Sequence, residues 1–280
     1  MLSYRHAFHA GNHADVLKHY VFSLVLAYMN QKPAPYWVID THAGAGMYEL
    51  GSEFAQKNAE FNNGIARLFA AEHLPDSLED FVKIINSFNE NNALNCYSGS
   101  PKIAESLLRT DDKLRLFELH PSDYQLLDEN FSHKGRQTKI EQQNGFTGIK
   151  ACLPPPTKRG VVLIDPPYEL KDDYNHVVNC IKDSLKRFAT GTYLVWYPLL
   201  QRPEPAEMVR TLIALNADFL QVEMRVQAPS LDGYGMYGSG MLVVNPPYTL
   251  PKILEEAMPV LTQLLALDES ADFLIQYKIA

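Results

Sequence analysis

Four consecutive residues, Asp165-Pro166-Pro167-Tyr168, are of types that suit chemistry on an amine. An exocyclic amine on a base is a poor nucleophile, because its lone pair is delocalised into the ring. A carboxylate and a backbone carbonyl that accept its two N–H bonds localise that pair and favour the charge that develops as nitrogen attacks. Asp165 and the Pro166 carbonyl, fixed by two proline φ angles, are the acceptors this reading names. Tyr168 offers a ring on which a base can stack. The chemistry would be methylation of a base amine. A proline-rich turn carrying a solvated aspartate contains the same residues, so the four alone leave both readings open.

What precedes them positions them. Val161-Val162-Leu163-Ile164 reads as a strand buried on both faces, and the prolines stop it. Asp165 then stands at a strand's carboxyl end, where open α/β sheets bind ligands. Trp37–Asp40 is the first strand, running into His42-Ala43-Gly44-Ala45-Gly46. Glycines there let the backbone approach a ligand closely. The dinucleotide fingerprint needs a third glycine where Glu49 stands, which disfavours pyrophosphate and a nicotinamide dehydrogenase. An acid followed by Gly-x-Gly suits a ligand with an amino-acid end, such as S-adenosylmethionine; a purely structural turn reads the same way.

Leu114–Glu118 is the second strand. An acid at its end bonds ribose hydroxyls in nucleotide-binding folds, about 20 residues after the glycines. Here Glu118 lies far beyond that, so an insertion intervenes. The insertion reads helical, with Gly64–Ala71 and then Ser77–Phe88 capped by Ser77. Another helix follows Ser98-Gly99-Ser100, with Ser100 as its N-cap and Pro101 at its first position. Thr138–Gln142 is the third strand, ending at Asn144-Gly145, where the amide can meet the edge of an adenine or simply make a turn. The Asp165 strand is the fourth. A helix over Asp173–Phe188, a fifth strand at Tyr193–Tyr197, a helix entered through Pro203 and Pro205, and a sixth strand at Phe219–Val226 follow. Ser230–Gly240, rich in glycine, reads as a mobile lid. Met241–Val244 is the seventh strand, and a last helix covers Lys252–Leu267.

That seventh strand ends in Asn245-Pro246-Pro247-Tyr248, a second site of the same shape. Both cannot hold one base. Chain order favours Asp165, on the fourth strand, and leaves Asn245 as a supporting wall or a structural stop.

At 280 residues, 46% hydrophobic and 21% charged, the chain suits one large α/β domain with an insertion, or two small ones. Its three scattered cysteines fit a reducing cytoplasm better than a disulfide frame. No apolar run is long enough to span a bilayer. The net charge of −8 counts against a broad non-specific nucleic-acid surface but permits a local basic patch. Tyr4, Arg5, His6, His9, His13, Lys18 and His19 form such a patch, running into a helix capped by Asn12. The histidine spacing matches no common metal site, so no metal is expected.

These residues carry a resemblance. Tyr4-Arg5-His6-x-Phe8-His9-Ala10-Gly11-Asn12-His13-Ala14-Asp15-Val16-Leu17-Lys18-His19 resembles the amino terminus of the RlmJ family, bacterial adenine-N6 methyltransferases of 23S ribosomal RNA. The likeness continues through Asp40–Gly46, Gly99-Ser100-Pro101, Glu118–Tyr124, Ile164–Glu169, Arg187–Tyr193 and Asn245-Pro246-Pro247. It implies a Rossmann-like class I methyltransferase fold, a seven-stranded mixed sheet with a helical subdomain inserted at 51–98. Residues 1–280 would be a single domain, with 1–14 a mobile tail closing over the cofactor. The implied cofactor is S-adenosylmethionine, held by His19, His42, Gly44, Ser100, Glu118, Asn144, Gly145 and Asp165. Asp165 would hold the target amine and take its proton. Tyr4, His6, Lys18 and Tyr168 would lie on the substrate side, with Lys18 and Arg5 pairing with phosphate. The family pattern has an aspartate where Asn144 stands, which weakens the adenine contact at that position. The reaction expected is direct in-line methyl transfer to N6 of one adenine in 23S rRNA; with so little basic surface, naked or partly assembled RNA is the expected substrate, and a cytoplasmic monomer the expected form. The rivals are a non-catalytic ribosome-assembly factor and a DNA adenine-N6 methyltransferase.

Overall fold

The structure is a computed structural model describing residues 6–132 and 135–279. Tyr4 and Arg5 lie outside the described residues. In chain order the strands are β1 (Trp37–Asp40), β2 (Met47–Glu49), β3 (Cys96–Ser98), β4 (Lys113–Phe117), β5 (Thr138–Glu141), β6 (Gly160–Ile164), β7 (Thr192–Leu199), β8 (Phe219–Arg225), β9 (Gly238–Val244) and β10 (Asp272–Lys278). The α-helices are α1 (His13–Asn30), α2 (Glu53–Asn58), α3 (Ile65–Phe69), α4 (Asp76–Asn86), α5 (Ser100–Leu107), α6 (Pro121–Asn130), α7 (Gly145–Cys152), α8 (Asp172–Arg187), α9 (Glu204–Ile213) and α10 (Leu250–Leu265).

The main sheet has the order β10-β8-β9-β7-β6-β1-β4-β5. From β5 to β7 every pair is parallel. β9 lies antiparallel between β7 and β8, and β10 adds an antiparallel edge. The class I methyltransferase fold expected from the sequence is present, with one strand more than the seven expected. β10 escaped the sequence reading because it is a half-exposed edge whose Leu274 and Tyr277 face solvent. β2 and β3 pair antiparallel as a separate ribbon at the base of the insertion. The inserted helices α2, α3 and α4 lie between them, and α4 packs on α1 and α5.

β6 is buried along its whole length, as Gly-Val-Val-Leu-Ile requires. Its neighbours β1 and β7 are nearly as buried, so the three strands form the floor under one set of carboxyl ends. α1 is buried on almost every side, packing against β9, α5 and α4. The Asn12 side chain accepts from Ala14 N–H (3.0 Å) and Asp15 N–H (2.9 Å), as an N-cap should.

Three sequence expectations shift. Ser100 is the first residue inside α5 and Gly99 is its cap. α4 begins at Asp76, and Ser77 spends its hydroxyl on Tyr20 at 2.7 Å instead of capping. The end of the expected lid is strand: β9 starts at Gly238 and pairs with Leu199 and Arg225. Glycine is required there, since a Cβ on Gly240 would meet the Tyr197 ring at 2.3 Å and one on Gly238 the Met224 carbonyl at 2.2 Å.

Candidate active site

A cavity of about 500 Å³ opens at the carboxyl ends of β1, β4 and β6. Its lining includes every sequence-predicted site residue among those described: His6, Lys18, His19, His42, Gly44, Ser100, Glu118, Asn144, Gly145, Asp165, Pro166 and Tyr168. Tyr4, assigned to the substrate side, lies outside the described residues.

The β1–α5 side is built from an acid and a hydroxyl. Asp40 ends β1, 1% exposed, with Ser100 Oγ donating to its Oδ2 at 2.6 Å and His42 N–H to its Oδ1 at 3.2 Å. Burial pushes the Asp40 carboxyl up to about 6, against the pull of those two bonds. Burial alone drives the His42 imidazole down to about 3, so it is neutral at physiological pH. The turn after β1 puts Gly44 at φ +59°, where a Cβ would meet the Tyr48 hydroxyl at 2.3 Å.

Glu118 follows β4. Its Oε2 accepts from Gly44 N–H at 2.8 Å and its Oε1 from His120 N–H at 2.7 Å. Burial raises its pKa and these two bonds oppose the rise. Beside it, His120 lines the cavity with its Nδ1 buried and unpartnered among the described residues. An acid with free lone pairs next to an unused imidazole nitrogen suits a ligand bearing vicinal hydroxyls. The Asn144 oxygen is committed to capping α7, accepting from Phe146 N–H at 2.9 Å. With the oxygen spent on the helix, the expected adenine contact falls to the amide nitrogen. Gly145 must be glycine, because a Cβ would lie 1.9 Å from the Thr41 carbonyl.

The third side is ionic. Lys18, 4% exposed, donates to Asp165 Oδ2 at 2.5 Å and to Asp15 Oδ1 at 2.7 Å. Asp15 Oδ2 meets His6 Nε2 at 2.8 Å and accepts from Gly11 N–H at 3.0 Å. Burial works against the Asp15 charge, but His6 and Lys18 outweigh it and hold its carboxyl well below the usual range. Burial likewise opposes the Lys18 ammonium, and the two carboxylates more than restore it. His19 is buried at 1% exposure, bonded to the Tyr97 hydroxyl at 2.7 Å, and burial with the Lys18 charge keeps it neutral. Phosphate pairing by Lys18 is overturned, since its ammonium is enclosed between two acids.

Tyr168 is 3% exposed, at φ +53°, and its hydroxyl donates to the Trp196 carbonyl at 2.6 Å. It is a packed wall of the cavity rather than a free stacking platform. Trp196 lines the cavity with an indole N–H that has no partner among the described residues. Residues 6–14 are docked, with His6 on Asp15 and His9 on Glu60 at 2.9 Å.

Asn245 is elsewhere. β9 runs against β7, so its carboxyl end meets the amino end of β7, at the opposite edge from Asp165. Its amide donates to the carbonyls of Ala189 (2.8 Å) and Gly191 (2.7 Å). It is the structural stop. The sequence reading missed Asp15, Trp196 and His120 as cavity residues. Only Asp15 left a signal, as an acid three positions before Lys18 on one helix face.

A model of the family described as ribosomal RNA large subunit methyltransferase D, RlmJ, matches residues 33–275. The chain belongs to this family. It is 48% identical over 260 residues to ribosomal RNA large subunit methyltransferase J of Escherichia coli strain K12, covering 92% of each chain. To the protein of the same name from Haemophilus influenzae it is 45% identical over 279 residues, covering 99% of each. A crystal structure of a Legionella pneumophila protein superimposes with a TM-score of 0.89 at 33% identity, covering 96% of this chain and 98% of that one. Among the described residues no helix is long and apolar enough to cross a membrane, and no group of three or more His, Cys, Asp or Glu is arranged to hold a metal.

Proposed function

We propose that this protein methylates N6 of an adenine in 23S rRNA, using S-adenosylmethionine. What supports the reading most is one convergence: the Gly-rich turn after β1, the acid after β4 and Asp165 after β6 meet in a single cavity. The family membership supports the rRNA substrate, which the relatives' names carry.

The residues present fit the cofactor. Glu118 and the unpartnered His120 nitrogen suit its ribose, and the buried Asp40–Ser100 pair with His19 and His42 suits its polar amino-acid end. When bound, the cofactor supplies an activated methyl on a sulfonium. The neutrality of His19 and His42 then matters, since charged imidazoles would repel that cation.

This chain's own part concerns the amine. Asp165 Oδ2 and the Pro166 carbonyl accept hydrogen bonds from its two N–H groups, and the single proton released as the N–C bond forms passes to Asp165. Lys18 holds that oxygen beforehand, so an entering amine displaces the ammonium, which keeps Asp15 as its partner. The adenine is flipped into the cavity against the Tyr168 wall.

The test is methyl transfer from labelled S-adenosylmethionine to deproteinised 23S rRNA lacking its modifications, followed by nucleoside mass spectrometry. N6-methyladenosine from the wild type, with at least a hundredfold less from Asp165→Ala, is the expected result. RNA binding without transfer by the wild type would favour the assembly-factor reading. Preference for duplex DNA in competition would favour a DNA methyltransferase.

A further inference from the structure

We propose that the β8–β9 loop is a nucleotide clamp, in which Tyr234 stacks on an unpaired nucleotide beside the one that enters the cavity. The inference rests on the rRNA reading above. It concerns a loop that touches the cavity only through Met236 and whose tip has no other role in the site.

β8 runs parallel to β7, so its carboxyl end and the following loop emerge at the same edge as Asp165. The loop is pinned to that edge. Tyr237 N–H donates to the Leu199 carbonyl at 3.2 Å, and Gln201 Nε2 to the Ser230 carbonyl at 2.5 Å. Met236 and Leu200 both line the cavity. The loop is therefore continuous with the cavity mouth.

Its tip is ordered to present a ring. Asp232 Oδ1 accepts from Ser230 Oγ at 2.6 Å and from Tyr234 N–H at 3.0 Å, which fixes the turn. Gly233 and Gly235 flank the tyrosine at φ +78° and +88°, with no atom within 4 Å of where a Cβ would lie. Tyr234 is 80% exposed and Leu231 wholly so. Leu170, on the cavity rim, is also exposed. A single exposed tyrosine is ordinary on a protein surface, and what marks this one is its place, between two glycines on a loop pinned to the cavity mouth.

Given the rRNA reading, charge decides how a nucleotide would be held here. The molecule carries −8, and the cations next to this rim are engaged: Lys171 with Glu204 at 2.7 Å, Arg202 with the Tyr174 hydroxyl at 2.8 Å. Lys18 is enclosed. Phosphate attraction is thus weak here, and base stacking is the interaction that the exposed side chains offer. A flipped base leaves its neighbour unstacked on one face, which is the surface a tyrosine ring covers.

The experiment is steady-state methyl transfer to deproteinised 23S rRNA by wild type, Tyr234→Ala and Tyr234→Phe, with S-adenosylhomocysteine affinity measured by calorimetry. Tyr234→Ala should raise KM for RNA about tenfold, leave kcat within twofold, and leave cofactor-product affinity unchanged. Tyr234→Phe should match wild type, because the ring and not the hydroxyl does the stacking. The salt dependence of KM should keep its slope in Tyr234→Ala, since no phosphate contact is lost. A KM within twofold of wild type in Tyr234→Ala, or a phenylalanine variant as weak as the alanine one, overturns the clamp. If wild type transfers no methyl, the rRNA reading itself fails. Equilibrium binding of the same RNA to wild type and Tyr234→Ala then judges the clamp by the same tenfold criterion.

Discussion

On the reading proposed above, an amine brought to Asp165 Oδ2 finds an ammonium already there, and that ammonium needs somewhere to go. Asp15 is that place. It holds Lys18 from one turn earlier on α1, and its own charge is secured by His6 and the Gly11 N–H. Asp15→Asn removes the alternative partner and leaves Lys18 on Asp165 alone. Turnover should then fall about tenfold or more, a barrier rise of ~1.4 kcal/mol. S-adenosylhomocysteine affinity, read by calorimetry, should change little. Unchanged turnover would sink the idea that Lys18 moves toward Asp15. At this scale the sequence was informative about which residues meet and poor about how they are used. Lys18 and Asp165 were both singled out, yet their pairing was illegible, because a long-range ion pair leaves no periodic trace. Lys18 read as a phosphate contact because a basic amino terminus resembles one until burial is known.

Elements decide which of two look-alike strand ends is the site. Asp165 and Asn245 sit in the same four-residue frame, and only the direction of β9 separates them. The antiparallel insertion of β9 has no local signature, so the sequence could rank the two ends by chain order but not show their geometry. Asn245, at φ +54°, anchors the loop at Ala189–Gly191 through two amide bonds. Asn245→Ala should lower unfolding free energy by about 1–3 kcal/mol, measured in denaturant, while kcat of the folded enzyme stays within twofold. A loss of chemistry without a loss of stability would return Asn245 to the site. Strand register was legible where apolar runs were long, as in β6. It was lost where glycine does the fitting, so β9 read as three residues shorter than it is, and β10 was missed because its edge position gives it no buried run. The helix boundaries erred by a residue or two wherever a serine looked like a cap and served a neighbour instead.

For the whole molecule, the buried neutral histidines set the response to acid. Burial lowers His13 to about 4 and His42 to about 3, and burial with the Lys18 charge holds His19 well below the usual histidine range. An unfolded histidine takes up a proton near pH 6.5, while the folded ones do not. Stability is therefore full above that value and is lost as pH falls toward the folded values. Asp40, pushed up to about 6, works in the opposite sense, as do Glu118, raised by burial, and His9, raised by its bond to Glu60: their contributions are present at low pH and are lost as pH rises. The three buried histidines carry the larger shifts, so unfolding free energy should be lower at pH 5 than at pH 7.5. His42→Asn should reduce that difference by about 2 kcal/mol in denaturant titrations at the two pH values. An identical pH dependence in the variant would mean that His42 is not buried neutral. The packing of α1 on β9 has a different consequence, in time rather than space. The helix that carries Lys18 is made long before the strand it rests on. A nascent chain that stops before Gly238 already contains Asp165, Glu118 and Lys18 but lacks the surface that holds them in register. A copy terminated there should therefore be silent rather than careless, and a methyl-transfer assay on the 1–237 fragment checks it.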